Sequence, residues 1–163
     1  MTLKFIKYLK EDRDSRELVK NRLKFYKESL EPVLSIAALD YHYSGLAAKY
    51  FERYNAGEGD LDFNYSGAML HNLFFDNLTE PQAANKPSGA SLGVIESKWK
   101  NFDGFKESFE KEFMASQGSN WIYMDPTGDI KTIHNHEYRK SMKIVLLIDA
   151  WEHSWALDYQ QDK

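Results

Sequence analysis

The stretch "LLIDAWEHSWALDYQ", residues 146–160, places a carboxylate and an imidazole four residues apart, Asp149 and His153, interleaved with Trp151, Glu152 and Trp155. Such a pair at the end of an apolar run is either a capping acid beside a surface histidine or two ligands of one metal ion. His42 in "AALDYHYSG" and His71 in "GAMLHNLFF" add two more imidazoles, each in surroundings where a hydrogen-bonded core histidine would look the same. The chain has no cysteine, which excludes disulfides, thiolate catalysis and sulfur-ligated metals together. Three neutral imidazoles and one carboxylate suit a first-row ion such as Fe, Mn or Zn and leave room for a solvent ligand, without choosing among them.

Those four residues are far apart in sequence, so secondary structure must bring them together. Residues 14–31, "DSRELVKNRLKFYKESLE", read as a helix, with Asp14 or Ser15 followed by Glu17 as its start. Pro32 interrupts, and "SIAALDYHYSGLAAKYFERYNAG" predicts a long helix containing His42, capped by Ser35 and stopped by the "NAGEG" of residues 55–59. Residues 66–78 give a second helix with His71. The short connection between the two makes an antiparallel hairpin on which the histidines can face each other across one seam.

The stretch 81–93 is rich in Pro, Gly and Ser and marks a boundary between domains at 1–83 and 91–163. Beyond it "SLGVIESKWKNFDGFKESFEKEFMASQG" predicts helix, broken near "NFDG", with Phe105, Phe109 and Phe113 along one face. Then "NWIYMD", a "PTGD" turn, "IKTIHNH" and "KIVLLID" predict a small antiparallel sheet of about three strands. The fold class is therefore α+β: an N-terminal antiparallel helical hairpin, with an extra helix before it, followed by a C-terminal α+β domain.

At 163 residues, with 42% hydrophobic and 15% aromatic side chains, the chain can bury a sizeable core, so disorder is not the main theme. No window is long and apolar enough for a membrane span, and the start lacks a signal-peptide core, so the simplest compartment is the cytoplasm. The net charge of −4 hides nine Lys or Arg against four acids in residues 1–27. That basic start carries mixed charges and no interleaved aromatic platform, so it reads as a solvated amphipathic helix rather than a nucleic-acid arm.

Taken together, the segments resemble the iron/manganese superoxide dismutase family. "DxWEH" is its most specific short signature and is intact here as Asp149, Trp151, Glu152 and His153. "LEPVLSIAALDYHYSG", "FNYSGAMLHNLFFDNL", "KPSGASLGVIESKWKNFDGFKESFEKEF", "QGSNWIYM" and "DYQ" agree in the same order, from about Tyr26 to Gln160. The resemblance implies one Fe or Mn ion, with iron slightly favoured, bound by His42, His71, Asp149 and His153. It implies conversion of superoxide to oxygen and hydrogen peroxide, with Tyr50 and His136 as catalytic residues beside the metal. It also implies a homodimer with Glu152 and His153 near the interface.

The same resemblance exposes departures. Leu46 and Ala156 stand where most members have a histidine and a tyrosine that meet at the substrate entrance across the dimer interface. Phe75 replaces a tryptophan after the second ligand, Gly67 occupies one of two positions that often supply a glutamine, and the chain stops where members continue through another helical segment. These departures favour, as a second expectation, a dismutase-derived metal-binding or scaffold protein with little catalysis.

Overall fold

The computed structural model describes residues 17–160 and 162. Its first long helix, α1, spans 36–56 in three parts: an α-helical turn Ile36–Leu39, a π-helical stretch Asp40–Ala47 and an α-helical end Ala48–Ala56. The Ser35 hydroxyl accepts from Ala38 N at its start, and Gly57, at φ 72°, closes it in the left-handed conformation that glycine adopts without steric penalty. Helix α2 covers Leu61–Asn77 and begins earlier than its apolar run suggests, because the Asp60 carboxylate accepts from Phe63 N as an N-cap. The pairs Tyr54–Tyr65, Tyr50–Gly67 and His42–His71 run in opposite order along α1 and α2.

The expected helix over 14–31 requires correction. Asp14 and Ser15 lie outside the described residues, and 17–26 are not helical; only a short 3₁₀ turn forms at Lys27–Leu30. Residues 18–21 instead run along α1 and α2, their main chain bonded to side chains of Asn55, Asn72 and Tyr43. Long-range partners for the backbone outcompete a weak local helix preference there.

Helices α3 (Gly89–Trp99) and α4 (Phe102–Ala115) are separated by Lys100 at φ 70° and by the Asn101 cap on Gly104 N, so the break falls at "NFDG". Strands β1 (Asn120–Met124), β2 (Ile130–His134) and β3 (Leu146–Asp149) form one antiparallel sheet in the order β2-β1-β3. The chain ends its described part with a 3₁₀ turn, Glu152–Ser154, and a short helix α5, Ala156–Tyr159. The architecture is α+β with a three-stranded antiparallel sheet.

Central strand β1 is buried throughout. Its period of two sends Trp121 and Tyr123 into a core shared with Leu39, Leu70 and Phe74 of the two long helices. Ile122 and Met124 go to a second core with Ile95, Phe105 and Phe109 of α3 and α4. Each such fully buried side chain is worth roughly 1.5–3 kcal/mol relative to exposure, so the sheet is held from both faces. Register then matters for the site: Trp121 stands opposite Asp149 on β3 and Ile133 on β2, which puts the carboxylate at the edge of the helix-facing core.

Candidate metal centre

Four separate elements deliver the polar side chains gathered at that edge. His42 comes from the π-helical stretch of α1, His71 from the middle of α2, Asp149 from the end of β3, and His153 from the 3₁₀ turn after it. One donor atom from each lies within 4.8 Å of all the others. His42, His71 and Asp149 are buried and His153 is partly so.

Asp149 is aimed by its own chain. Oδ1 accepts from Trp151 N at 2.8 Å, and Ser154 Oγ donates to its carbonyl, which folds the "DAWEHS" segment into a turn. The other oxygen, Oδ2, faces the imidazoles: Nε2 of His42 at 3.1 Å, of His153 at 3.2 Å and of His71 at 3.9 Å. Burial alone would raise the Asp149 carboxyl, but the imidazoles of His153 and His42 outweigh it and hold it below the usual carboxylate range.

His71 is fixed by the other side of its ring. Its Nδ1 lies 2.7 Å from the Gly67 carbonyl, an oxygen that can only accept, so Nδ1 carries the proton and Nε2 its lone pair. Burial pushes His71 down to about 3, which keeps it neutral. His42 Nε2 and His71 Nε2 are both buried without a hydrogen-bond partner. Orphaned imidazole nitrogens converging on a buried carboxylate form a donor set of the kind a first-row ion takes, and the Nδ1–H to carbonyl bond is the usual support of a ligating histidine.

A second layer touches this group. Trp121 Nε1 donates to His136 Nδ1 at 3.2 Å, so the neutral His136 ring keeps its proton on Nε2, a buried atom with no partner. The His136 ring stacks on Trp151 at 4.6 Å and lies 5.9 Å from His71, and burial pushes it down to about 4. The Tyr50 ring lies 5.1 Å from His71 and 4.9 Å from His136, and its phenol is raised by burial and by the charge of Asp149. A Cβ at Gly67 would stand 2.8 Å from Tyr50 Cδ1, so the bare glycine is what admits that ring. All six expected side chains therefore fall in one neighbourhood, whereas Glu152 is exposed.

Residues 87–163 match the family described as iron/manganese superoxide dismutases, C-terminal domain. An iron superoxide dismutase of Sulfolobus acidocaldarius is 26% identical over 87% of this chain and 82% of its own length. These matches are consistent with a divergent member of the iron/manganese superoxide dismutase family. Two further relatives illustrate the spread: an iron superoxide dismutase of Bacteroides fragilis, 28% identical over 85% of each chain, and a mitochondrial manganese superoxide dismutase of Aspergillus fumigatus, 28% identical over 83% of this chain and 78% of that one. Relatives named for iron and for manganese are thus equally similar to this chain, and similarity does not select the metal.

Two contacts at this site were not anticipated from the sequence. Phe63, assigned by its sequence to the connection before α2, packs 4.5 Å from His136 and 5.9 Å from Tyr50. Its spacing of four from Gly67 and eight from His71 puts all three on one helical face, a signal visible once Asp60 is taken as the cap. The second is the Gly67 opening for Tyr50, which has no sequence signal, since a helical glycine reads only as a weak point. Near His153 a cavity of about 560 Å³ is lined by Tyr41, Trp151, Glu152, Ala156 and Leu157, so Ala156 and His153 share one cavity.

Proposed function

We propose that this protein is a superoxide dismutase, converting superoxide to oxygen and hydrogen peroxide, with one iron or manganese ion held by His42, His71, Asp149 and His153. The observation that carries the reading is the convergence of three imidazole nitrogens and a carboxylate oxygen within 4.8 Å, two of the nitrogens orphaned and buried. The bound ion supplies one-electron redox chemistry at a fixed position. The protein's own task is to orient the donors, exclude water and hold protons ready, since each turnover consumes two.

Gly67 and Trp151 orient the donors, through the carbonyl on His71 Nδ1 and the amide on Asp149 Oδ1. Trp121, Phe74 and Phe75 wall the histidines with apolar rings. Protons are held at two stated places: Nε2 of His136, set there by Trp121, and the Tyr50 phenol, kept protonated by burial. A homodimer with Glu152 and His153 near its interface belongs to the same reading and is supported by the exposure of Glu152 beside the cavity at His153.

A second reading, a metal-binding protein with little catalysis, is favoured by Ala156 at that cavity, the position where the family resemblance implies a tyrosine. Superoxide dismutation per bound metal, on protein reconstituted separately with iron and with manganese and with His153→Ala as control, separates the two. Activity that follows metal and disappears in the control supports the dismutase. Stoichiometric metal without activity supports the second reading.

A further inference from the structure

Residues 18–21 form a strap across the outside of the α1 and α2 pair. Two asparagine amides hold its main chain as neighbouring strands would. Asn55, near the end of α1, accepts from Leu18 N and donates to Leu18 O, both at 2.9 Å. Asn72, on α2, accepts from Asn21 N at 2.9 Å and donates to Val19 O at 3.1 Å. The Tyr43 hydroxyl on α1 donates to Asn21 O at 2.7 Å, while Lys20 Nζ sits 3.7 Å over the Tyr43 ring and donates to the Tyr43 carbonyl. Asp76, one turn beyond Asn72, accepts from Asn21 Nδ2 at 2.9 Å.

Two of the attachment points are the residues that follow two of the proposed ligands. Tyr43 follows His42 and Asn72 follows His71, so strap and imidazoles attach to the same turns of the two helices on adjoining faces. Inside, His42 Nε2 and His71 Nε2 converge on the Asp149 carboxylate, 3.1 and 3.9 Å from Oδ2. Outside, the strap ties the helices together. We propose that the strap pre-organises the metal site, with Asn72 and Tyr43 as positioning residues that hold the His42 and His71 rings 5.1 Å apart. The proposal rests on the metal-site reading above.

Its test is Mn(II) affinity of the metal-free full chain, measured by competition titration, together with the paramagnetic resonance spectrum of the bound ion. Asn55→Ala/Asn72→Ala is expected to weaken Mn(II) binding roughly tenfold or more, as loss of outer supports of a metal site commonly does, and to change the spectrum. Tyr43→Phe, which removes one strap bond and keeps the ring, is expected to weaken it several-fold and serves if the double variant does not fold. Ile95→Ala, in the core on the far face of the sheet, is a control that lowers the melting temperature and leaves affinity and spectrum unchanged. Strap variants that fold and bind Mn(II) within twofold of the parent, with the parent's spectrum, overturn the proposal. A parent that binds no Mn(II) or Fe(II) overturns the metal-site reading instead, and the proposal with it.

Discussion

The proton on His136 is placed by a neighbour. Because the Trp121 indole can only donate, its bond to Nδ1 leaves Nε2 as the protonated nitrogen, and the stack on Trp151 keeps the ring from turning. Trp121→Phe keeps an apolar wall but frees Nδ1, so dismutation per bound metal is expected to fall about tenfold while metal content stays stoichiometric. Unchanged activity per metal in that variant would remove His136 from the proposed proton path. Gly67 acts on Tyr50, the second proton source in the proposed function. In Gly67→Ala the new methyl gains helix preference of about 1 kcal/mol but meets the Tyr50 ring at 2.8 Å, and overpacking of 1–3 kcal/mol is the larger effect. Denaturant unfolding of the metal-free variant should therefore show a net loss; equal or greater stability would mean that Tyr50 shifts freely.

At the scale of elements, two glycines of the α3 and α4 helices behave oppositely. Gly93 lies in α3 with open space around its Cβ position, so Gly93→Ala is expected to stabilise by roughly 0.5–1 kcal/mol. A Cβ at Gly104 would stand 2.5 Å from the Trp99 carbonyl, a backbone atom that cannot rotate away, so Gly104→Ala is expected to cost about 1–3 kcal/mol. Thermal melts of the two variants that move the same way would contradict this. The break between α3 and α4 was legible in "NFDG" because a cap acts locally, and so were the Ser35 start and the glycine stop of α1. The 14–31 stretch misled because its apolar spacing fits a helix, while the deciding bonds come from Asn55 and Asn72, distant in sequence. The start of α2 was missed for a smaller reason: Phe63 and Asn64 look like loop residues until Asp60 is seen to cap them. No local pattern could have assembled the four donors. Their grouping depends on β3 docking beside α1 and α2, and before the structure only the family resemblance indicated it.

Across the whole molecule, the site sits where the helix pair meets the sheet, so its ionisation and the stability of the fold are linked. His71 and His136 are buried neutral, pushed to about 3 and about 4, whereas an unfolded chain protonates histidine near 6.5. Below 6.5 the unfolded chain of the metal-free protein takes up protons that the fold refuses, and stability declines as pH falls toward 4. His136 alone accounts for about 3 kcal/mol over that window, or roughly 6–12 °C of melting temperature for a chain of this size. Asp149 acts in a lower window: its carboxyl is held down in the fold, so the stability it lends is present above the usual carboxylate range and is lost only as pH falls below it. The melting temperature of the metal-free protein should therefore fall already between pH 6.5 and 4.5, ahead of carboxylate titration. His136→Phe, which leaves no titratable ring at that position, should flatten part of this early decline. A melting temperature that holds steady from pH 7 to 4.5 would mean that the two imidazoles reach solvent, and the buried site would need to be redrawn.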